Sequence, residues 1–123
     1  MNQKYNALFT PWKICNVEIP NRIVQCSMGG TSLFGWMEPS HLDKEAAYFL
    51  LNRAQDGVGL ILPGMQCIKD PILGRWLYQN DKMFKDLEVY MKEFHKTGSK
   101  LFIQLAAGMG RSMAITKPMV MLL

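Results

Sequence analysis

SHLDKEAAYFLLNRAQDGVGLILPG, residues 40–64, contains a helix and the strand that follows it. Ser40 is placed to cap the helix, with Asp43 three residues on. Ala46, Phe49, Leu50 and Ala54 then recur at the three-and-four spacing of one helical face, up to Gly57. Val58 to Leu62 (VGLIL) is a continuous apolar run ended by Pro63 and Gly64. An alternating run would suit a strand with one wet face. An unbroken one suits a parallel strand covered on both faces.

The same grammar extends in both directions. Upstream, Arg22 to Met28 (RIVQCSM) is β-rich and mostly apolar and runs into Gly29 and Gly30, which makes it a first buried strand ending in a turn. Before it, Lys13 to Pro20 alternates around Ile14, Val17 and Ile19 with Asn16 at the turn, a small hairpin that serves as a lid. Downstream, a loop from Lys69 to Asn80 carries Trp76 and Tyr78. Asp81 then caps a second helix whose apolar face is Phe84, Leu87, Met91 and Phe94, closed by Gly98. Lys100 to Ala106 (KLFIQLA) is a third strand. The order β-α-β-α-β requires parallel strands with right-handed crossovers and makes this an α/β chain. It is compatible with an open doubly wound sheet and with the opening of a barrel. In both, ligands bind at the carboxyl ends of the strands, and here those ends are small or polar: Ser27 to Gly30, Gly64, and Gln104 to Gly108.

Composition narrows the function classes. The chain has 123 residues, 49% hydrophobic and 20% charged, enough for one domain with a modest core. Its net charge of +4 is scattered, with no basic block to bind nucleic acid or a membrane surface. Cys15, Cys26 and Cys67 are odd in number and lack CxxC spacing, so neither a disulfide framework nor a metal site is expected, and a reducing cytoplasm fits best. The polar start lacks an export signal, and no apolar run is long enough to span a bilayer. Neither GxGxxG nor GxxxxGK[ST] occurs, which disfavours a nucleotide-phosphate loop. His41 and His95 have no nucleophile or ligand partner at a telling spacing and are read as surface residues. Gln104 stands out. A primary amide between Ile103 and Leu105 must satisfy a donor and an acceptor, either on neighbouring backbone or on the amide-like edge of a bound heterocycle. Ser27 adds a hydroxyl and Met28 a soft apolar contact, and Gly64 permits close approach to the backbone.

The stretch LFTPWKICNVEIPNRIVQCSM, from Leu8 to Met28, resembles the opening of flavin oxidoreductases of the old yellow enzyme family, with its LF.P..I....L.NRIV...M pattern. Later matches follow in order: a strand ending in Gly64, then KLFIQL with Gln104, then Gly110 and Arg111. The resemblance implies that residues 1–123 are an incomplete FMN-binding domain, namely the amino-terminal portion of a (β/α)8 TIM barrel with about three βα units and a lid hairpin. By position it implies that Cys26, Ser27, Met28 and Gly29 run along the flavin, that Gly64 lies beside it, and that Gln104 bonds its pyrimidine ring.

It further implies an oxidoreductase that takes hydride from NAD(P)H through FMN to an activated C=C bond of a small-molecule alkene. Two departures are informative. Many members place Cys or Thr directly after the strand-one Met, where this chain has Gly29. Many also continue strand three into His-x-Gly-Arg, where this chain reads LAAGMGR, similar to the clostridial enoate reductase and dienoyl-CoA reductase branch. In the family the substrate-anchoring pair, the proton-donating Tyr and the flavin-phosphate site come from later strands, as do any iron-sulfur cluster and FAD. No catalytic residue is therefore expected within this chain. With about half of a barrel at most, the chain is expected to be unstable alone or to assemble, as a homo-oligomer or with a complementary fragment.

Overall fold

The chain enters through a 3₁₀ turn, Gln3–Phe9, before a two-stranded antiparallel hairpin, β1 (Trp12–Ile14) and β2 (Val17–Ile19). The structure is a computed structural model that describes residues 3–34, 41–69 and 75–107. Ser40 and the Gly110–Arg111 pair lie outside them. The hairpin is where the alternation of Ile14, Val17 and Ile19 places it, and Cys15 takes the left-handed conformation (φ 52°) in its two-residue turn beside Asn16.

After the hairpin come β3 (Val24–Gln25), α1 (Lys44–Gln55), β4 (Leu60–Ile61), β5 (Gln66–Cys67), a short 3₁₀ turn at Leu77–Gln79, α2 (Asp81–His95), β6 (Lys100–Leu101) and β7 (Leu105–Ala106). β3, β4 and β6 form a parallel sheet in that order, each step crossing over through a helix. This is the β-α-β-α-β order expected, with shorter strands: the first and third apolar runs pair over two residues each. Backbone bonds beyond the strands lengthen the ladder, from Leu62 N–H to the Gln25 carbonyl (2.9 Å) and from Phe102 N–H to the Ile61 carbonyl (3.0 Å). The run 100–106 is also split. Its second half, β7, leaves this sheet and pairs in parallel with β5, a strand additional to the expected β-α-β-α-β order.

Register sorts the side chains. Val24, Leu60 and Lys100 stand side by side, as do Gln25, Ile61 and Leu101, and adjacent residues of a strand point to opposite faces. Ile61 belongs to the core cluster with Leu33, Phe34, Ala47, Leu50, Ala54, Leu77, Met83, Tyr90 and Phe94, and Leu101 packs against it, so the second set faces the helices.

Helix α1 buries Ala46, Ala47, Leu50 and Ala54, close to the face expected. Its cap is Asp43, whose carboxylate accepts from Glu45 N–H and Ala46 N–H (both 3.0 Å) and starts the helix at Lys44. Helix α2 is capped by Asn80, which accepts from Met83 N–H (3.1 Å), with Asp81 as the first helical residue. Its buried face is Met83, Tyr90 and Phe94, with Leu87 partly covered. Phe84, expected inside, sits at the margin and meets Phe34 edge-on (6.4 Å). The face is thus turned by one residue from the expected one, with Met83 fully buried and Phe84 partly open. Both helices stop at glycines in the left-handed region, Gly57 (φ 94°) and Gly98 (φ 79°), a conformation that costs other residues more.

Asn21 joins the pieces. Its amide donates to the Gly57 carbonyl (2.8 Å) and its side-chain oxygen accepts from Ile23 N–H (3.0 Å), while its own carbonyl accepts from the Trp12 indole (2.8 Å). One residue thereby ties the hairpin, the start of β3 and the end of α1 together. Gly59 packs directly on Asn21, leaving no room for a Cβ. Among the described residues no helix is long and apolar enough to cross a membrane.

Candidate functional site

The carboxyl ends of β3, β4 and β6 form one rim. After β3 the chain stays exposed through Cys26, Ser27, Met28 and Gly29, and Met28 keeps half of its surface open (51%). It then turns through Gly30 into a buried segment, Thr31 to Phe34. After β4, Pro63 and Gly64 are buried against that segment. After β6, Ile103, Gln104 and Leu105 are exposed. The six residues expected at the rim therefore fall on three adjacent strand ends.

Two of the physical reasons given for them change. Gln104 was expected in an apolar, covered strand. It is exposed, lies between β6 and β7, and makes no side-chain hydrogen bond with a described residue, while its carbonyl accepts from Gln66 N–H (2.8 Å). The strand breaks before it because the chain changes partners there, from β4 to β5. Gly64 was expected to admit a ligand. A Cβ there would stand 2.7 Å from the Ser32 hydroxyl and 2.8 Å from both the Met28 carbonyl oxygen and the Ser32 amide nitrogen. The close approach at Gly64 is thus made by the Met28–Ser32 segment of the protein.

Thr31 and Ser32, which are not among the expected site residues, hold that approach. The Thr31 hydroxyl donates to the Met28 carbonyl and accepts from Gly64 N–H (both 2.9 Å), and Gly64 N–H is shared with the Thr31 carbonyl (3.1 Å). The Ser32 hydroxyl donates to the Met65 carbonyl (2.9 Å). Both residues are buried; the bond from Gly64 N–H to the Thr31 hydroxyl is shielded from competing water, and those to the Met28 and Met65 carbonyls are partly so. The available signal was two consecutive hydroxyl residues after a Gly-Gly turn, a pattern that also marks ordinary loops.

Beyond the rim, β5 leads to an isolated antiparallel bridge between Lys69 and Trp76, where the lysine ammonium lies 5.1 Å from the indole centroid. Trp76 and Tyr78, singled out from the long loop, are both exposed with rings 6.2 Å apart. Burial pushes the Cys67 thiol above its ordinary value, which disfavours the thiolate. Cys26 is exposed on the rim. His41 and His95 are exposed, and among the described residues no three His, Cys, Asp or Glu side chains converge as a metal site would need.

The family model for the NADH:flavin oxidoreductase / NADH oxidase family matches residues 7–118. A cinnamate reductase from Clostridium sporogenes is 32% identical over 118 residues, covering 90% of this chain and 17% of that protein. Among solved structures, a variant of NCR from Zymomonas mobilis superposes with a TM-score of 0.62 at 22% identity, over 85% of this chain and 33% of the other. An old yellow enzyme from Pichia sp. AKU4542 superposes with a TM-score of 0.58 at 25% identity, over 80% of this chain and 26% of the other. The fold is the amino-terminal portion of the (β/α)8 barrel of these proteins, and the chain spans about a sixth of the length of the clostridial relative.

Proposed function

The chain belongs to the NADH:flavin oxidoreductase / NADH oxidase family, and from that premise we propose that its rim forms one wall of an FMN site used to reduce an activated C=C bond. The observation that carries this reading is the primary amide of Gln104, unpaired among the described residues and exposed at the same end of the sheet as Ser27, Met28 and Gly29. An amide offers a donor and an acceptor together, which suits the alternating carbonyl and N–H edge of a flavin pyrimidine. The exposed Met28 side chain offers a polarizable apolar surface to a flat ring, and Gly29 adds no bulk beside it. The residues present therefore fit the cofactor's ring.

Bound FMN supplies the electron chemistry, accepting hydride from a reduced nicotinamide and delivering it to the alkene. This chain's part is to bind and orient. Gln104 fixes the ring edge, the Cys26–Gly29 segment lies along it, and the buried loop beneath keeps that segment in place. The name of the clostridial relative suggests an aryl-substituted α,β-unsaturated carboxylate as substrate.

Titration of the purified chain with FMN, followed by quenching of flavin fluorescence, tests the reading. Binding that weakens about tenfold in Gln104→Leu, the equivalent of one hydrogen bond, is the expected result. A chain that leaves FMN free at every concentration sinks it. A second reading is favoured by the edges of β3 and β6, each of which has one strand neighbour among the described residues. In it the chain takes up flavin only after assembling with another copy or a complementary fragment. Flavin uptake that rises with chain concentration in parallel with association distinguishes it. Reduction of cinnamate by NADH in the same mixture separates catalysis from binding alone.

A further inference from the structure

We propose that Thr31 is the positioning residue of the rim, its hydroxyl holding the Met28 peptide and the Gly64 peptide at the spacing that the flavin requires. The inference rests on the FMN reading above and goes beyond it, since Thr31 is itself buried and need not touch the ligand. Three observations converge. The hydroxyl bridges the end of β3 to the end of β4 through two 2.9 Å bonds, one as donor to Met28 and one as acceptor from Gly64. Ser32 makes a second tie between the same two loops, to the Met65 carbonyl. Gly64 has no space for a Cβ because backbone atoms of Met28 and Ser32 already occupy it, so the two loops are in contact.

Met28 is half exposed on the outer side of this junction, although its carbonyl is held on the inner side. The bond from Thr31 thus orients a peptide whose side chain lies in the proposed site. A ring laid against Cys26–Gly29 meets a surface whose Met28 peptide is tied to β4 through the Thr31 hydroxyl, with the Ser32 hydroxyl and the Thr31 carbonyl holding the rest of the loop. Removing the Thr31 hydroxyl strands the Met28 carbonyl and loosens the hold on Gly64 N–H. The surface can then shift while the sheet, helices and core remain as they are.

The experiment compares the full chain with Thr31→Val, close to it in shape but without the hydroxyl, and Thr31→Ser, which keeps the hydroxyl. Hydrogen exchange is read without flavin at two amides: Gly64, bonded to Thr31, and Leu62, bonded to Gln25 in the sheet. FMN affinity is read by fluorescence quenching. In Thr31→Val, Gly64 exchange should accelerate about tenfold with Leu62 unchanged, and FMN affinity should fall about tenfold, while Thr31→Ser restores both. Wild-type affinity in Thr31→Val overturns the inference and leaves the flavin reading intact. Loss of protection at Leu62 together with Gly64, or a Thr31→Val chain that does not fold, overturns it in favour of a general structural role. The same holds if Thr31→Ser loses as much affinity as Thr31→Val. If the unaltered chain binds no FMN, the rim reading fails and the inference falls with it.

Discussion

Tyr90 lies in the core beside Phe94, with ring centroids 5.8 Å apart, and its hydroxyl is buried without a hydrogen-bond partner among the described residues. Leaving a buried hydroxyl unpaired costs roughly 1–3 kcal/mol. Tyr90→Phe keeps the ring and removes that cost, so the variant should be at least as stable as the parent, with a higher denaturant midpoint. Burial also pushes the phenol's ionisation above its ordinary value near 10. Because the raised value belongs to the folded state, the unfolded chain releases this proton first as pH rises. The stability due to Tyr90 is whole below about pH 10 and declines above it. Denaturation between about pH 9 and 11 should therefore show a steeper alkaline loss in the parent than in Tyr90→Phe. Asn21 is the opposite case, with each side of its amide used. Asn21→Ala should lower stability by roughly 1–3 kcal/mol in urea denaturation, whereas an ordinary surface asparagine would cost a few tenths. The sequence marked Asn21 through the Asn-Arg pair of its family pattern, but its partners at Gly57 and Trp12 are far along the chain or on another element and carry no local signature.

At the scale of elements, the helices were readable because their signals are local. Apolar residues at three-and-four spacing, a capping side chain and a terminal glycine are enough to start, face and stop a helix. What shifted were the details of caps and faces, with Asp43 and Asn80 doing the capping and Met83 taking the buried position expected for Phe84. Asp43→Ala removes the acceptor for two helical N–H groups and should cost about 0.5–2 kcal/mol, while Asp43→Ser should recover most of it. The check is the thermal midpoint followed by helix ellipticity. Strands were readable as apolar runs and not as lengths. An apolar run says that a segment is covered, whereas pairing ends wherever the neighbour ends. β7 shows this, since within one run, KLFIQLA, the chain leaves β4 for β5.

Over the whole molecule, both helices pack on one face of the parallel sheet, and β3 and β6 each keep an edge without a strand neighbour among the described residues. Val24, on the face away from the helices, is partly open (37%), and Leu105 more so (60%). Unpaired edges beside exposed apolar side chains favour strand addition by another chain. Sedimentation velocity should show mass rising with concentration; one monomeric species throughout would contradict this. The βαβαβ order, the helical faces and the rim at the strand ends follow from residues close together in the chain, because periodicity, caps and turns act over a few residues. Which groups the rim leaves open was a matter of contacts between distant segments. Gly64 is crowded by Met28 and Ser32, more than thirty residues away, and Gln104 is exposed where the chain changes strand partners. Such contacts exist only once the sheet has assembled, so the composition of the rim could be read from the chain and its geometry could not.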